Sequence, residues 1–303
     1  MKRNILFLFF LFASVIAQER DSSVIFVSDT QQPMWIETFR LKENNNEEVT
    51  KLIYHAIEKE STAVAIFHLG DITSIGMFES YWNLFDEFHK NIRIPIYPVI
   101  GNHEYFFFQK PALEQFRKRF PAFPTSWYSV IVQSVAVIAL NSNFSKLSDD
   151  KRLQQDSWYR EQLSRYENDS TIRSIIVVSH HPPYTNSTIV YPSRDVQLQF
   201  LAPFLLSHKT SVYISGHAHA YEHFQKGGKE LLVIGGGGGL LQPLLIGHEQ
   251  RFRDVFSQQL SMRFFHYMEC TIKNNSLLFT VKKLRNDFSG FDVVDTVSVP
   301  YKQ

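Results

Sequence analysis

Short runs of largely β-branched residues recur along this chain, and they are apolar on both faces: residues 23–27 from Val24 onward, 63–67, 94–99, 135–140, 175–179, 212–215 and 231–234. A strand apolar on both faces needs cover on both faces, which an α/β arrangement with helices outside the sheets provides. The intervening stretches are amphipathic at helical spacing. Residues 47–60 carry Val49, Ile53, Ala56 and Ile57 on one face, and Phe78, Trp82 and Phe85 recur three to four apart. Further helices are predicted over 112–120, stopping at Pro121, over 150–165, and over 195–207, which Pro203 should kink or divide. From Phe264 the pattern changes to hairpin-like alternation, with Asn274-Asn275 as the turn and 276–281 as the returning strand. The expectation is a single α/β domain of two central sheets sandwiched by helices and closed by C-terminal antiparallel strands. The pentaglycine 235–239 follows a buried strand and precedes Leu240-Leu241, so it reads as a close backbone approach rather than a linker.

The polar residues of interest stand where the buried runs end. Asp29 follows the first; Asp71 follows the second behind His68, Leu69 and Gly70; Asn102 and His103 follow the third. His180 and His181 follow residues 175–179, and His217 and His219 follow residues 212–215. In an open α/β sheet the C-terminal strand ends share one edge, so positions almost two hundred apart in the chain converge there. Taken singly, each has a bland reading. An Asp or Asn after a strand is commonly an Asx-turn or a helix cap, and His68 reads as a core histidine. The conjunction with two histidines two apart behind Gly216 is what points to metal, and carboxylate, amide and imidazole together suit borderline Mn, Fe or Zn ions.

Asp29-Thr30-Gln31, Gly70-Asp71, Gly101-Asn102-His103-Glu104, His180-His181-Pro182 and Gly216-His217-Ala218-His219 resemble, in this order, the five blocks of the calcineurin-like metallophosphoesterase superfamily. The resemblance runs from about Val24 to Gly239 and is greatest to the purple acid phosphatase-like and cyclic-phosphodiesterase-like branches. It implies a four-layer α/β/β/α sandwich of two mixed β-sheets, holding two transition-metal ions (Fe, Zn or Mn). It further implies that Asp71 bridges the ions, that Asp29 and His219 complete one site, and that Asn102, His180 and His217 complete the other. His103 stands where the superfamily has its catalytic histidine. The superfamily's motif places this ligand two residues before proline, which implies His180 rather than His181. The implied reaction is hydrolysis of a phosphate ester by a metal-bridging hydroxide. Gln31 departs from the pattern, since most of the superfamily has histidine there, and Ser74 stands where purple acid phosphatases have a tyrosine ligand. Gln31 is then a weak, neutral donor to the Asp29/His219 metal. Glu104, Tyr105, His181, Tyr184 and His223 are candidates for touching substrate or orienting the ligands.

Around this core, Lys2 and Arg3 precede an uncharged run ending in Val15-Ile16-Ala17, which reads as a secretory signal peptide over 1–17, leaving the catalytic domain as 18–303. The chain has 31 basic and 30 acidic residues, so no excess of positive charge favours nucleic acid. No later segment is long and apolar enough to span a membrane. Cys270 is the only cysteine, so the domain is predicted to stand without an intramolecular disulfide. Sequons at Asn143, Asn168, Asn186 and Asn274 are glycan candidates, consistent with secretion or residence in the endomembrane or lysosomal lumen. The exported setting, with the resemblance to the purple acid phosphatase-like branch, favours an acid-phosphatase-like monoesterase acting on a small phosphorylated organic substrate. The alternatives are a phosphodiesterase or nucleotide pyrophosphatase, and a catalytically weak secreted binding protein on the same fold.

Overall fold

Alternation along the first strand, Ser22–Val27 (β1), sets the layering. Val24 and Phe26 pack with residues of the opposite sheet such as Val137, Val178 and Ile214, while Ile25 and Val27 pack against helices. The computed structural model describes residues 21–34 and 46–302; the segment read as a signal peptide, 1–17, lies outside the described residues. After β1 the strands are Ala63–His68 (β2), Ile96–Pro98 (β3), Tyr128–Val132 (β4), Val135–Leu140 (β5) and Ser174–Ser179 (β6). They continue as Thr210–Ser215 (β7), Tyr221–Lys226 (β8), Lys229–Ile234 (β9), His266–Ile272 (β10), Ser276–Leu284 (β11) and Phe291–Pro300 (β12).

One six-stranded sheet has the order β12-β11-β10-β1-β2-β3, and the other has β4-β5-β6-β7-β9-β8. The pairs β1–β2 and β2–β3, and likewise β5–β6, β6–β7 and β7–β9, are parallel; the flanking strands pair antiparallel. Both sheets are therefore mixed. Their facing sides interdigitate through Phe26, Phe67, Val137, Ile214 and Phe279, with the rings of Phe26 and Phe67 stacked 5.5 Å apart. Truncating a fully buried phenylalanine of this kind to alanine costs about 3–5 kcal/mol.

Helices cover the outer faces. Asn46–Glu58 (α1) presents Val49, Ile53 and Ile57, at four-residue spacing, to the first sheet, with Glu47 and Glu48 in its first turn, where they complement the helix dipole. Asn83–Asn91 (α2) and Gln109–Arg119 (α3) complete that layer with Phe85, Phe88 and Phe116. Asp149–Asn168 (α4) starts at Ser148, whose hydroxyl accepts the Lys151 N–H, and packs Tyr159 and Leu163 on the second sheet. Pro203 divides the next helical stretch as expected: Arg194–Val196 and Ala202–Leu206 are joined by a π-turn over Gln197–Leu201, which accommodates a residue with no N–H to donate. The architecture is the expected four-layer α/β/β/α sandwich.

One feature differs from the sequence expectation. Tyr128–Val132 and Tyr221–Lys226 are strands that the apolar runs do not signal. The first is only half-buried at an edge, and the second carries Glu222 and His223 in its buried part. The C-terminal strands pair antiparallel, as expected. They extend the first sheet, because β10 pairs antiparallel with β1 from Ser22↔Ile272 to Phe26↔Met268. Cys270 sits buried in β10, where burial pushes its thiol well above the usual range.

Candidate metal centre

The parallel strands of both sheets end at one edge, and the loops that leave them are tied to one another by backbone hydrogen bonds. Asp29 N–H donates to the Gly70 carbonyl (3.0 Å), and Gly216 N–H donates to the His180 carbonyl (2.9 Å). The sheets are linked across the edge by the Asp29 carboxylate, whose Oδ2 accepts the His217 N–H at 2.9 Å. Asp29, Asp71 and His217 all have positive φ (59°, 51° and 67°). Such backbone is uncommon outside glycine, and three of the six non-glycine instances among the described residues fall here, among the groups that face the site.

Two donor sets meet around Asp71. In one, Asp29, Asp71 and His219 bring ligand atoms within 4.8 Å of one another, with His219 Nε2 3.3 Å from Asp29 Oδ1. Gln31 lies beside this set. With its amide nitrogen donating to the backbone carbonyls of Asp71 (3.0 Å) and Asp29 (3.3 Å), its oxygen lies 3.2 Å from His219 Nε2. In the other set, His180, His181 and His217 bring nitrogens within 4.8 Å, and His180 Nε2 lies 3.2 Å from Asp71 Oδ2 and 3.0 Å from Asn102 Oδ1. His103 approaches from the same side, with Nε2 3.8 Å from Asp71 Oδ2.

The rings are oriented from behind. His180 Nδ1 bonds the Leu69 carbonyl at 2.9 Å, His219 Nδ1 the Leu240 carbonyl at 2.7 Å, and His103 Nδ1 the Ser74 carbonyl at 2.7 Å. A carbonyl only accepts, so each ring keeps a proton on Nδ1 and turns Nε2 to the site, where it can hold a cation or, when protonated, give up a proton. Ser142, just past β5, holds His181 through both its Nδ1 (2.8 Å) and its N–H (2.9 Å). Glu104 is fully buried and organises the backbone beneath Asp71. Its two oxygens accept the N–H groups of Gly101 (2.7 Å), Ile72 (2.7 Å) and Asp71 (3.0 Å). Burial, then the charge of Asp71, pushes the Glu104 carboxyl up to about 7. The pentaglycine is the close approach expected of it: Gly239 lies so near the His219 ring that a Cβ there would stand 2.7 Å from Cε1.

Electrostatically, the site holds two buried carboxylates, Asp29 and Asp71, whose only ion-pair partners among the described residues are histidines. Burial works against the Asp71 charge, yet His180 and then His103 hold its carboxyl well below the usual range. Burial likewise opposes a charge on His180, but Asp71 raises it to about 9, so that proton occupies the lone pair a cation would compete for. His181 is pushed down to about 3 by burial and by His180, and His217 is held well below the usual range by burial and by His181. Both are neutral imidazoles. Paired anions without Lys or Arg, neutral rings aimed inward and an oxygen/nitrogen donor set fit divalent or trivalent transition ions.

Every predicted donor, Asp29, Gln31, Asp71, Asn102, His180, His217 and His219, is brought to this edge, with His103 beside them. The sequence reading set His181 apart from the donors, but its ring lies within the histidine cluster, 4.4 Å from that of His217. Other candidates lie elsewhere. Tyr105 is a core residue whose hydroxyl accepts from Asn141 Nδ2 at 2.9 Å. Tyr184 stacks on Phe252 with ring centroids 3.9 Å apart. His223 is an ion-pair residue of β8, with Nε2 2.7 Å from Glu230. His68 is the core histidine expected, its Nε2 2.9 Å from the Thr30 hydroxyl. Of the sequons, Asn143 and Asn186 are buried, and their amides donate to the carbonyls of Ile100 and Phe252. Asn168 and Asn274 are exposed. Ser142 was missed by sequence reasoning, although its place just past the buried β5 was a signal of the same kind as the others. Glu222 stands three residues past His219, at the start of β8. It is fully buried and accepts the Asn186 N–H at 2.7 Å, bracing the loop that follows His181.

The chain is similar to known proteins in sequence and in fold. The family described as calcineurin-like phosphoesterase matches residues 22–221. Purple acid phosphatase 15 of Arabidopsis thaliana is 26% identical over 181 residues, covering 53% of this chain and 33% of that protein. Purple acid phosphatase 1 of Ipomoea batatas is 23% identical over 194 residues, covering 57% and 39%. The chain thus spans between a third and two fifths of the length of these relatives. Among solved structures, GAP50, the anchor in the inner membrane complex of Plasmodium, has a similar fold, with a TM-score of 0.69 at 16% identity over 93% of this chain and 90% of that one. Purple acid phosphatase PPD1 from yellow lupin (Lupinus luteus) gives 0.65 at 17% identity, over 93% of this chain and 54% of that one. A dimetal phosphatase from Danio rerio gives 0.61 at 12% identity, over 93% and 99%.

Proposed function

The chain belongs to the calcineurin-like phosphoesterase family, and from that premise we propose that it hydrolyses phosphate monoesters in the manner of an acid phosphatase. The observation that carries this reading is the placement of Asp71 between two donor sets, Asp29/Gln31/His219 and Asn102/His180/His217, with His103 Nε2 facing the same carboxylate. These residues would hold two transition ions, Fe, Zn or Mn, with Asp71 shared. When bound, such ions supply a nucleophile from water near neutral pH and neutralise charge on the phosphoryl oxygens.

The protein's own groups do the rest. As the bond from water oxygen to phosphorus forms, the ester oxygen on the opposite side leaves, and His103 Nε2 is positioned to hand it a proton. The bond from His103 Nδ1 to the Ser74 carbonyl fixes which nitrogen performs that transfer. His181, held by Ser142, lines the same space as a neutral donor or acceptor for the phosphoryl group. The Ser74 hydroxyl is committed to the Gln32 carbonyl, so this position offers no phenolate and no purple colour is expected. The proposal includes export, with residues 1–17 as a signal peptide and 18–303 as the enzyme domain. The destination is the extracellular space or an endomembrane lumen, with N-glycan at the exposed sequons. No helix among the described residues is long and apolar enough to cross a membrane.

A second reading is a secreted binding protein with little turnover. It is favoured by one residue, Gln31, which puts a neutral amide where a stronger donor would tighten the Asp29/His219 site. The test is the metal-loaded protein assayed in parallel on 4-nitrophenyl phosphate and bis(4-nitrophenyl) phosphate. A higher kcat/KM on the monoester supports the proposal, and a higher value on the diester makes the enzyme a phosphodiesterase. No turnover of either at full metal occupancy leaves the binding reading.

A further inference from the structure

His103 does not face solvent alone. The ring of Phe106 lies nearly parallel to it, with centroids 5.6 Å apart and planes 16° apart, and Phe107 meets Phe106 edge to face at 4.7 Å. The three rings form a continuous aromatic series leading outward from the Asp71 carboxylate. Its outer member is unusual on two counts. Phe107 is 65% exposed, and its neighbour Phe108 is 67% exposed, although most of the phenylalanines among the described residues are buried. Phe107 also has φ +64°, a left-handed backbone that a bulky side chain rarely adopts. The segment is short and anchored at both ends: Tyr105 N–H bonds the Asn102 carbonyl at 3.1 Å, and Ala112 N–H of α3 bonds the Phe108 carbonyl at 3.2 Å. The backbone is thus held in a strained form that presents an apolar ring to water, an arrangement that folding alone does not favour and that is typical of ligand contacts.

We propose that Phe106 and Phe107 form a ledge that binds the planar aromatic leaving group of a phosphate ester, making this enzyme selective for aryl over alkyl esters. The inference rests on the phosphatase reading above and adds the substrate class to it. The leaving oxygen departs on the side of His103, so the group attached to it passes over the ring stacked on that histidine. An aromatic leaving group gains an offset or edge-to-face contact there, whereas an alkyl group gains only area.

The experiment compares kcat/KM for phenyl phosphate and glycerol 2-phosphate in wild type, Phe107→Ala and Phe107→Tyr, all metal-loaded. Comparing that ratio between proteins cancels the difference in intrinsic leaving-group reactivity. In Phe107→Ala the phenyl-to-glycerol ratio should fall about fivefold, through KM, and Phe107→Tyr should keep it. In parallel, saturation-transfer NMR with phenylphosphonate, which is not hydrolysed, should show the ring protons saturated by wild type and by Phe107→Tyr but not by Phe107→Ala. An unchanged ratio in Phe107→Ala, or no ring saturation in wild type, overturns the ledge. If wild type hydrolyses neither ester, the phosphatase reading fails on its own account and the NMR result alone decides the ledge.

Discussion

Replacing His223 by glutamine should flatten one component of the protein's stability against pH. His223 lies on β8, at the edge of the second sheet. Its Nε2 is 2.7 Å from Glu230 on β9, and its Nδ1 is 3.6 Å from Asp295 on β12, the edge strand of the first sheet. Asp295 also accepts the Tyr221 hydroxyl at 2.7 Å, and the His223 N–H faces Asp254, which pairs with Arg263 at 2.7 Å. The histidine is therefore part of a clamp between the two sheets. Burial works against its charge, but Asp295 and Glu230 outweigh burial and raise it from 6.5 to about 9. A histidine that binds its proton more tightly when folded stabilises the fold fully below its unfolded pKa, and that contribution is lost as pH rises through the folded value. At 1.36 kcal/mol per unit, the shift corresponds to about 3 kcal/mol, present below about pH 6.5 and gone above about pH 9. Only 8% of the residue is exposed, so solvent screening removes little of it. The assay is urea unfolding followed by circular dichroism, for wild type and His223→Gln at the same metal loading, near pH 6, 7.5 and 9.5. The stability gap between the two proteins should be about 3 kcal/mol larger at the low end than at the high end. A gap that stays constant over this range would refute the ion-pair clamp.

Gln31→His should move the metal-activation midpoint to lower concentration, with kcat at saturation unchanged or lower, because imidazole is a stronger donor than an amide oxygen and leaves the metal a weaker Lewis acid; a metal titration of activity reads this directly, and an unchanged midpoint would show that Gln31 is not a ligand. Glu104→Ala should cost about 3–5 kcal/mol in chemical denaturation, since the loops around Asp71 and Gly101 lose the acceptor for several buried N–H groups. Glycopeptide mapping of protein from a secreting host should find glycan at Asn168 or Asn274 and none at Asn143 or Asn186.

What could be read from the chain followed burial. Residues such as Val24–Val27 and Ile175–Val178 announce covered strands because nothing polar interrupts them, and the ligand-type residues at their ends are placed by the topology of parallel strands. Strand β8 was not legible for the converse reason. Its buried residues include Glu222 and His223, which are satisfied only by Thr185, Asn186, Glu230 and Asp295, all distant or on other strands. The same logic misdirected the reading of His223 and Tyr105, whose nearness in sequence to His219 and His103 suggested the site, while the alternation of a strand and the turn after Asn102 send them elsewhere. Asn143 and Asn186 carry acceptor motifs for glycan, but a motif does not report that its amide closes a buried loop. Ser142 and the carbonyls of Leu69, Leu240 and Ser74 orient the histidines through contacts that no local pattern encodes.

The most direct test of the central claim, a dinuclear centre organised by Asp71, is elemental analysis with calorimetric metal titration of wild type and Asp71→Asn. The account predicts about two transition ions per wild-type chain and impairment of both sites in the variant, together with loss of phosphate-ester hydrolysis, because the residue shared by the two donor sets no longer carries a charge. Full occupancy and retained hydrolysis in Asp71→Asn, or a wild-type chain that takes up no ion, would contradict it.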